Sequence, residues 1–336
     1  MTVDTPPDFV FAVAYCLAYD RLKRPPDRGA LRRLRDRGQP QTDEERLFAE
    51  MLNAATLALQ DPPEDESVAV RLEQIQEKAS ALGDPKIALV AGGATKIKQY
   101  VFESAKLPEI RGASSLLDDI NLVEMPALFC HFSSDLDQDE RKRAEEVQRR
   151  FADRHKGQSL DCPECVIYAN GGEILAFAPN CLAQALADEI EFLYTVETLI
   201  ANSVAVWRPF RLVELAGGVE GLEVRRWLTR EKYKQSLFRE LKLQSDKELD
   251  EKKCFGELAA SLTLEKFRRR EGNPTLDENG RIVRQAKSTP HWETFAYGRR
   301  CRSCERRVAS HEYALGDEDP QPAEPVNEMR HARLIN

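Results

Sequence analysis

Two apolar runs, Cys165-Val-Ile-Tyr-Ala-Asn170 and Glu173-Ile-Leu-Ala-Phe-Ala178, are separated by Gly171-Gly172 and nothing else. So short a connection leaves the runs one arrangement, adjacent antiparallel strands, because the tight turns that join such strands need positive φ and glycine supplies it without steric cost. Upstream, Ile87-Ala-Leu-Val-Ala91 is a continuous apolar run ending in Gly92-Gly93, and helical spacing follows from Thr95 to Ser104, which predicts a strand, a glycine turn and a helix. Downstream, Asn180 can cap an amphipathic helix through Leu182, Leu186, Ile190, Leu193 and Ile200, and Ser203-Val-Ala-Val-Trp207 returns to strand character. In order these elements are strand, helix, hairpin, helix, strand. That is the split β-α-β-β-α-β pattern of a ferredoxin-like α+β fold.

The rest of the chain is arranged around this unit. Residues 1–85 read as a helical region, with helices over Phe9–Arg24, Asp43–Leu59 and Ser67–Leu82 broken at Pro25-Pro26 and Pro62-Pro63. The region holds no histidine, so a His-Asp metal phosphohydrolase is not encoded there. Residues 86–215 form the sheet domain, including a helix over Ser114–Leu122 and a heavily charged, exposed one over Asp139–His155. Residues 216–272 return to charged helix around Trp227, Leu228, Leu237 and Leu241, and residues 273–312 are irregular. Residues 313–336, with Asp317-Glu318-Asp319 and three prolines, are expected to be a disordered tail.

A chain of 336 residues with 42% hydrophobic and 32% charged residues has the composition of a soluble protein with one large core or two modest ones. It contains no apolar run near the roughly 20 residues that span a bilayer, and no charged segment precedes its first apolar stretch. The expected location is the cytoplasm, with no membrane partner. Four of the eight cysteines form two C-x2-C pairs, Cys162/Cys165 and Cys301/Cys304, a spacing that in a reducing compartment points to metal before disulfide. The net charge of −8 is unevenly spread: Glu265–Arg307 carries 12 Lys or Arg against 6 acids, about +6, leaving about −14 on the remainder. That stretch is either a local surface for an RNA backbone or a solvated loop rich in arginine.

The segment Lys96-Ile-Lys-Gln-Tyr-Val-Phe-Glu-Ser-Ala-Lys-Leu-Pro-Glu-Ile-Arg-Gly-Ala-Ser-Ser-Leu-Leu117 resembles the first palm domain of the large polymerase-cyclase subunit of type III CRISPR interference complexes. The matching steps are Gln99–Phe102, Ser104–Leu107 and Arg111–Leu116. The hairpin Ile167–Glu173 looks like the family's first-palm hairpin, and Cys301-Arg-Ser-Cys304 resembles the opening half of the zinc module between its two palms. The resemblance spans roughly residues 85 to 310. It implies a GGDEF-like palm in an antiviral effector, flanked by an N-terminal helical region and a C-terminal helical and zinc-binding extension, with other effector subunits, guide and target RNA, and ATP as partners. In the family a second palm carries Gly-Gly-Asp-Asp, whose carboxylates hold the ions that activate ATP for cyclic oligoadenylate synthesis. This sequence contains no Gly-Gly-Asp-Asp. The expectation is a short or split subunit that awaits a second palm in trans, or a truncated frame whose residues from Ser310 onward are not family sequence.

Two-metal phosphoryl transfer needs several hard oxygen ligands converging on the ions. The first strand offers no acid before Gly92-Gly93 and the hairpin offers only Glu173, so no catalytic residue is assigned. Candidates for nucleotide contact, with ATP and Mg²⁺ as the cofactor, are Gly92, Gly93, Ala94, Lys96, Ser114, Gly171 and Gly172. A glycine turn before a helix could present N–H groups to a triphosphate or could serve the chain connection alone, and Ser114 could donate to phosphate or cap a helix. For structural zinc the candidates are Cys301 and Cys304, completed by Cys162 and Cys165 or by His311. Alternative readings are a stand-alone homodimeric nucleotidyl cyclase and a non-catalytic RNA-binding scaffold using residues 265–307.

Overall fold

Proline and aspartate set out the first helices. Asp8 caps α1 (Phe9–Leu22) by accepting from the Phe11 N–H, and α1 is buried at every position from Val10 to Tyr19. A helix apolar all round needs cover on every side. In this computed structural model, which describes residues 8–60, 68–103, 107–132, 136–198, 201–218, 255–277, 279–287, 311–313 and 324–326, the cover comes from α2 (Arg28–Arg35), α3 (Asp43–Leu59) and the sheet. Sequence spacing did not announce α2. The Pro25-Pro26 break lasts only until Asp27, whose side chain accepts from the N–H groups of Gly29 and Ala30 and starts the next helix at once. Arg28 and Arg32 of α2 then bind Glu164 just ahead of the hairpin, and Phe9 meets Phe177 edge-on at 5.9 Å. With α4 (Val68–Ala81), these helices share one apolar core with the sheet, continuous from Val10 to Leu262.

The sheet consists of β1 (Lys86–Thr95), β2 (Val166–Asn170), β3 (Glu173–Pro179) and β4 (Asn202–Arg211), all antiparallel and in the order β2-β3-β1-β4. Between β1 and β2 lie α5 (Ile97–Val101), α6 (Leu107–Asp119), a π-helical turn at Ile120–Glu124, the short α7 (Met125–Ala127) and α8 (Gln138–Arg154). Between β3 and β4 lies α9 (Ala183–Thr198), packed on β4 and β1. After β4 come α10 (Leu212–Gly217), α11 (Phe255–Arg270), which packs on β4 and β1, and a small ribbon of β5 (Thr275–Leu276) with β6 (Ile282–Arg284). The chain is thus a mixed α and β structure with one small antiparallel sheet, and the four strands expected from the sequence share it.

Four expectations change. Gly92 and Gly93 do not form a turn: β1 runs through them, because Gly92 is paired with Ile174 and Ala205, and Gly93 with Glu173 and Val204. The helix expected over Thr95–Ser104 is the five-residue α5, and α6 begins at Leu107, seven residues before Ser114, with Pro108 in its first turn where a missing N–H costs nothing. The region from Asn273 is irregular only in part, since β5 and β6 pair there. In the expected disordered tail, Glu324–Val326 (β8) pairs with His311–Tyr313 (β7). The helices expected around Trp227 and Leu241 lie outside the described residues.

Both glycines of β1 are demanded by close packing. A Cβ on Gly92 would lie 2.6 Å from Ala205 Cβ, and one on Gly93, at φ +154°, would lie 2.0 Å from the Gly172 carbonyl oxygen and 2.9 Å from Glu173 Cα. Gly171 and Gly172 have φ of +62° and +85°, and Asn170 Oδ1 accepts from the Gly171 N–H, so the hairpin turn is built as its composition predicts. Gly93→Ala is therefore expected to cost about 3 kcal/mol or more, because backbone cannot retreat from backbone. Gly171→Ala, with open space around its Cβ, should cost about 1 kcal/mol for its left-handed φ alone. Denaturant midpoints of the two variants check this ordering, and equal losses would contradict the close-approach account.

Candidate functional site: the hairpin end of the sheet

The end of β1 where it meets the hairpin turn gathers most of the residues singled out for nucleotide contact. The Ala94 N–H donates to the Gly172 carbonyl at 3.0 Å, so Gly93, Ala94, Gly171 and Gly172 form one backbone cluster. Two helices support it from behind. The Tyr194 hydroxyl of α9 donates to Asn121 Oδ1 in the π-helical turn, and a Cβ on Gly172 would be 3.7 Å from Asn121 Nδ2. A π-turn widens a helix by one residue and so re-aims a side chain, here Asn121 toward the hairpin. In the same turn Glu124 is buried, and burial, with Glu197 adding to it, pushes its carboxyl up to about 8. Glu124 is a neutral acid in the core at pH 7.

The remaining candidates are placed differently. Lys96 sits at the head of α5 with φ +55° and an exposed side chain. Because α5 has only five residues and Gly92 and Gly93 are tied into the sheet, the triphosphate cradle expected from a glycine turn and a helix N-terminus is not what this segment builds. Ser114 is exposed in the middle of α6 and caps nothing, since that helix started about two turns earlier. Substitution at Gly93 strikes the hairpin backbone before it could crowd any ligand.

Glu173 carries the carboxylate at the hairpin, and Lys266 of α11 donates to its Oε1 at 2.5 Å. The ammonium already pairs with this carboxylate, and one carboxylate satisfies few of the six or more oxygen ligands a divalent ion takes. Among the described residues no group of three or more His, Cys, Asp or Glu side chains could hold a metal ion. Cys162 and Cys165 are buried against α1, with Cys165 Sγ 3.6 Å from Cys16 Sγ and Cys162 donating to Glu164 Oε2 at 3.4 Å. Burial raises both thiols well above their ordinary range. Cys301 and Cys304, and the side chain of His311, lie outside the described residues.

Sequence reasoning missed the electrostatic centre beside this site. Glu191 of α9 is buried and receives Arg269 through Nε at 2.6 Å and Nη2 at 2.8 Å, and the Ala205 N–H at 2.8 Å. Arg284 Nη2 lies 3.0 Å from its second oxygen and Lys287 Nζ lies 3.7 Å away. Burial works against the charge on Glu191, but Arg269, Lys287 and Arg284 together hold it below the usual carboxylate range. This network fastens α11 and the segment from Ile282 to Lys287 onto β4. Its partners are 78 residues apart, so no local pattern reveals it.

No family model matches the chain, and no curated protein matches it. Among solved structures, it is similar to the apo crystal structure of a Csm1–Csm4 cassette, with 16% identity and a TM-score of 0.27, over 67% of this chain and 25% of that one. The cassette in complex with pppApA gives 14% and 0.28 over 59% and 23%, and the complex with cA4 gives 16% and 0.26 over 60% and 23%. The chain spans about a quarter of the length of these neighbours. At such identities and scores, function has to be read from the chain's own residues.

Proposed function

We propose that the chain acts as a first palm in a type III CRISPR antiviral effector, contacting nucleotide and scaffolding neighbouring subunits without a complete catalytic centre of its own. The observation that carries this reading is the joining of two features at one sheet end: a hairpin seated directly on β1 by paired glycines, and a single carboxylate, Glu173, already neutralised by Lys266. The motif resemblance over Lys96–Leu117 supplies the family. The exposed turn residue Gly171 and the exposed Lys96 suit contact with ATP, while Mg²⁺ would be held by the Gly-Gly-Asp-Asp carboxylates of a facing palm. Residues 265–307 would meet guide or target RNA, with Arg268 and Arg270 exposed on α11. The homodimeric cyclase reading asks Glu173 to do alone what paired acids do, and Lys266 makes that harder.

The purified chain, incubated with ATP and Mg²⁺ or Mn²⁺, is expected to form no cyclic or linear oligoadenylate, as followed by chromatography of the products. Product that disappears in Glu173→Ala would overturn the proposal and favour the cyclase reading. Zinc belongs to the same reading, at Cys301 and Cys304. Metal analysis is expected to give about one zinc per chain, lost in the Cys301→Ser/Cys304→Ser double variant and retained in Cys162→Ser/Cys165→Ser. The reverse pattern would move the site to the hairpin.

A further inference from the structure

A small recess opens at the far side of β1 from the hairpin, where β1 pairs with β4. It is lined by Thr95 at the end of β1, Lys96 at the head of α5, Asn202 and Ser203 from the start of β4, and Arg269, Arg270 and Lys287 from the segment packed over them. Among the described residues its charge does not close. Three cations, Arg269, Arg284 and Lys287, face one buried carboxylate, Glu191, and the half-exposed Asp188. Both oxygens of Glu191 are already taken by Arg269, so Lys287 is left 3.7 Å from the carboxylate, with its close contacts, 2.6 and 2.9 Å, made to neutral oxygens of Ser203. At the rim, Lys96 and Arg270 add two exposed cations, against which the described residues place only Glu271, 3.8 Å from Arg270.

Poorly compensated positive charge in a recess is a site for an anion, and the neutral groups indicate which. Asn202 Oδ1 is buried without a hydrogen-bond partner. An orphaned acceptor costs desolvation free energy that a ligand O–H would recover, and an oxyanion carrying no hydrogen would face it oxygen to oxygen. We propose that this recess is a phosphate-binding site, built on Lys287, Arg270 and Lys96, in which Asn202 accepts from a hydroxyl on the phosphate and so favours phosphate over sulfate. Burial lowers the Lys287 ammonium to about 8 despite Glu191, with Arg269 and Arg284 adding to the shift. The site does not depend on the nucleotide reading of the hairpin end, because it lies across β1 from the hairpin and needs neither ATP nor a second palm.

Titration of the full chain with inorganic phosphate and, separately, with sodium sulfate at fixed ionic strength and pH 7 tests the proposal by calorimetry. Phosphate is expected to bind about tenfold more tightly than sulfate, and Asn202→Ala to bring the two within about twofold of each other. Lys287→Gln should weaken phosphate about tenfold. Because that change lies within a structural network, the exposed pair Lys96→Gln/Arg270→Gln provides a second test in which folding is not at stake, and it too should weaken phosphate several-fold. Phosphate binding unchanged in Lys96→Gln/Arg270→Gln, or equal affinities for phosphate and sulfate in the parent chain, would overturn the proposal.

Discussion

The contact on which the sheet end depends is backbone against backbone: Gly93 of β1 beneath the carbonyl of Gly172, with no room for a side chain on Gly93. It draws the hairpin turn down onto the middle strand and leaves the turn's outer face open. Everything placed nearby takes its position from it. Ala94 bonds to Gly172, Asn121 is aimed at the turn from the π-helical segment, and Lys266 reaches Glu173 from α11. Glycine is kept here for closeness, a use distinct from the freedom of φ that Gly171 and Gly172 need to make the turn.

That distinction marks how far the sequence could be read. The hairpin was legible because its two-residue connection and glycine content permit one geometry, and the four strands of the sheet were legible as periodic segments. Gly92-Gly93 was read as a turn because a glycine pair after an apolar run usually ends a strand. What reverses that reading is a neighbour some 80 residues away, Gly172 on one side, and Ala205 on the other, more than 110 residues away. Ser114 was misplaced for a more local reason: Leu107-Pro108 starts the helix earlier than the Arg111-Gly112 step suggested. The pairs Glu173–Lys266 and Glu191–Arg269 join residues 93 and 78 apart, and charged residues on amphipathic helices look alike in sequence whether they end in water or in a buried network.

The buried network around Glu191 has a further consequence for function. Removing one partner from a buried ion cluster typically costs about 3–5 kcal/mol because the remaining charge is left buried and unpaired, so the network specifies where α11 and the segment through Lys287 sit on the sheet. The hairpin end and the β1–β4 recess are then two faces of one strand end, both rich in donors and cations. Among the described residues neither contains the clustered carboxylates that hold divalent ions, so under the proposed reading the chain's own contribution to nucleotide contact would be made by N–H groups and side-chain cations.

The most direct measurement of that claim is an ATP titration of the intact chain in the presence of Mg²⁺ and again in excess EDTA. Contact through cations and backbone predicts weak binding, with Kd on the order of 0.1–1 mM, that persists or tightens when the metal is removed. Binding that is abolished by EDTA would show that the chain grips nucleotide through a divalent ion, and would contradict the account.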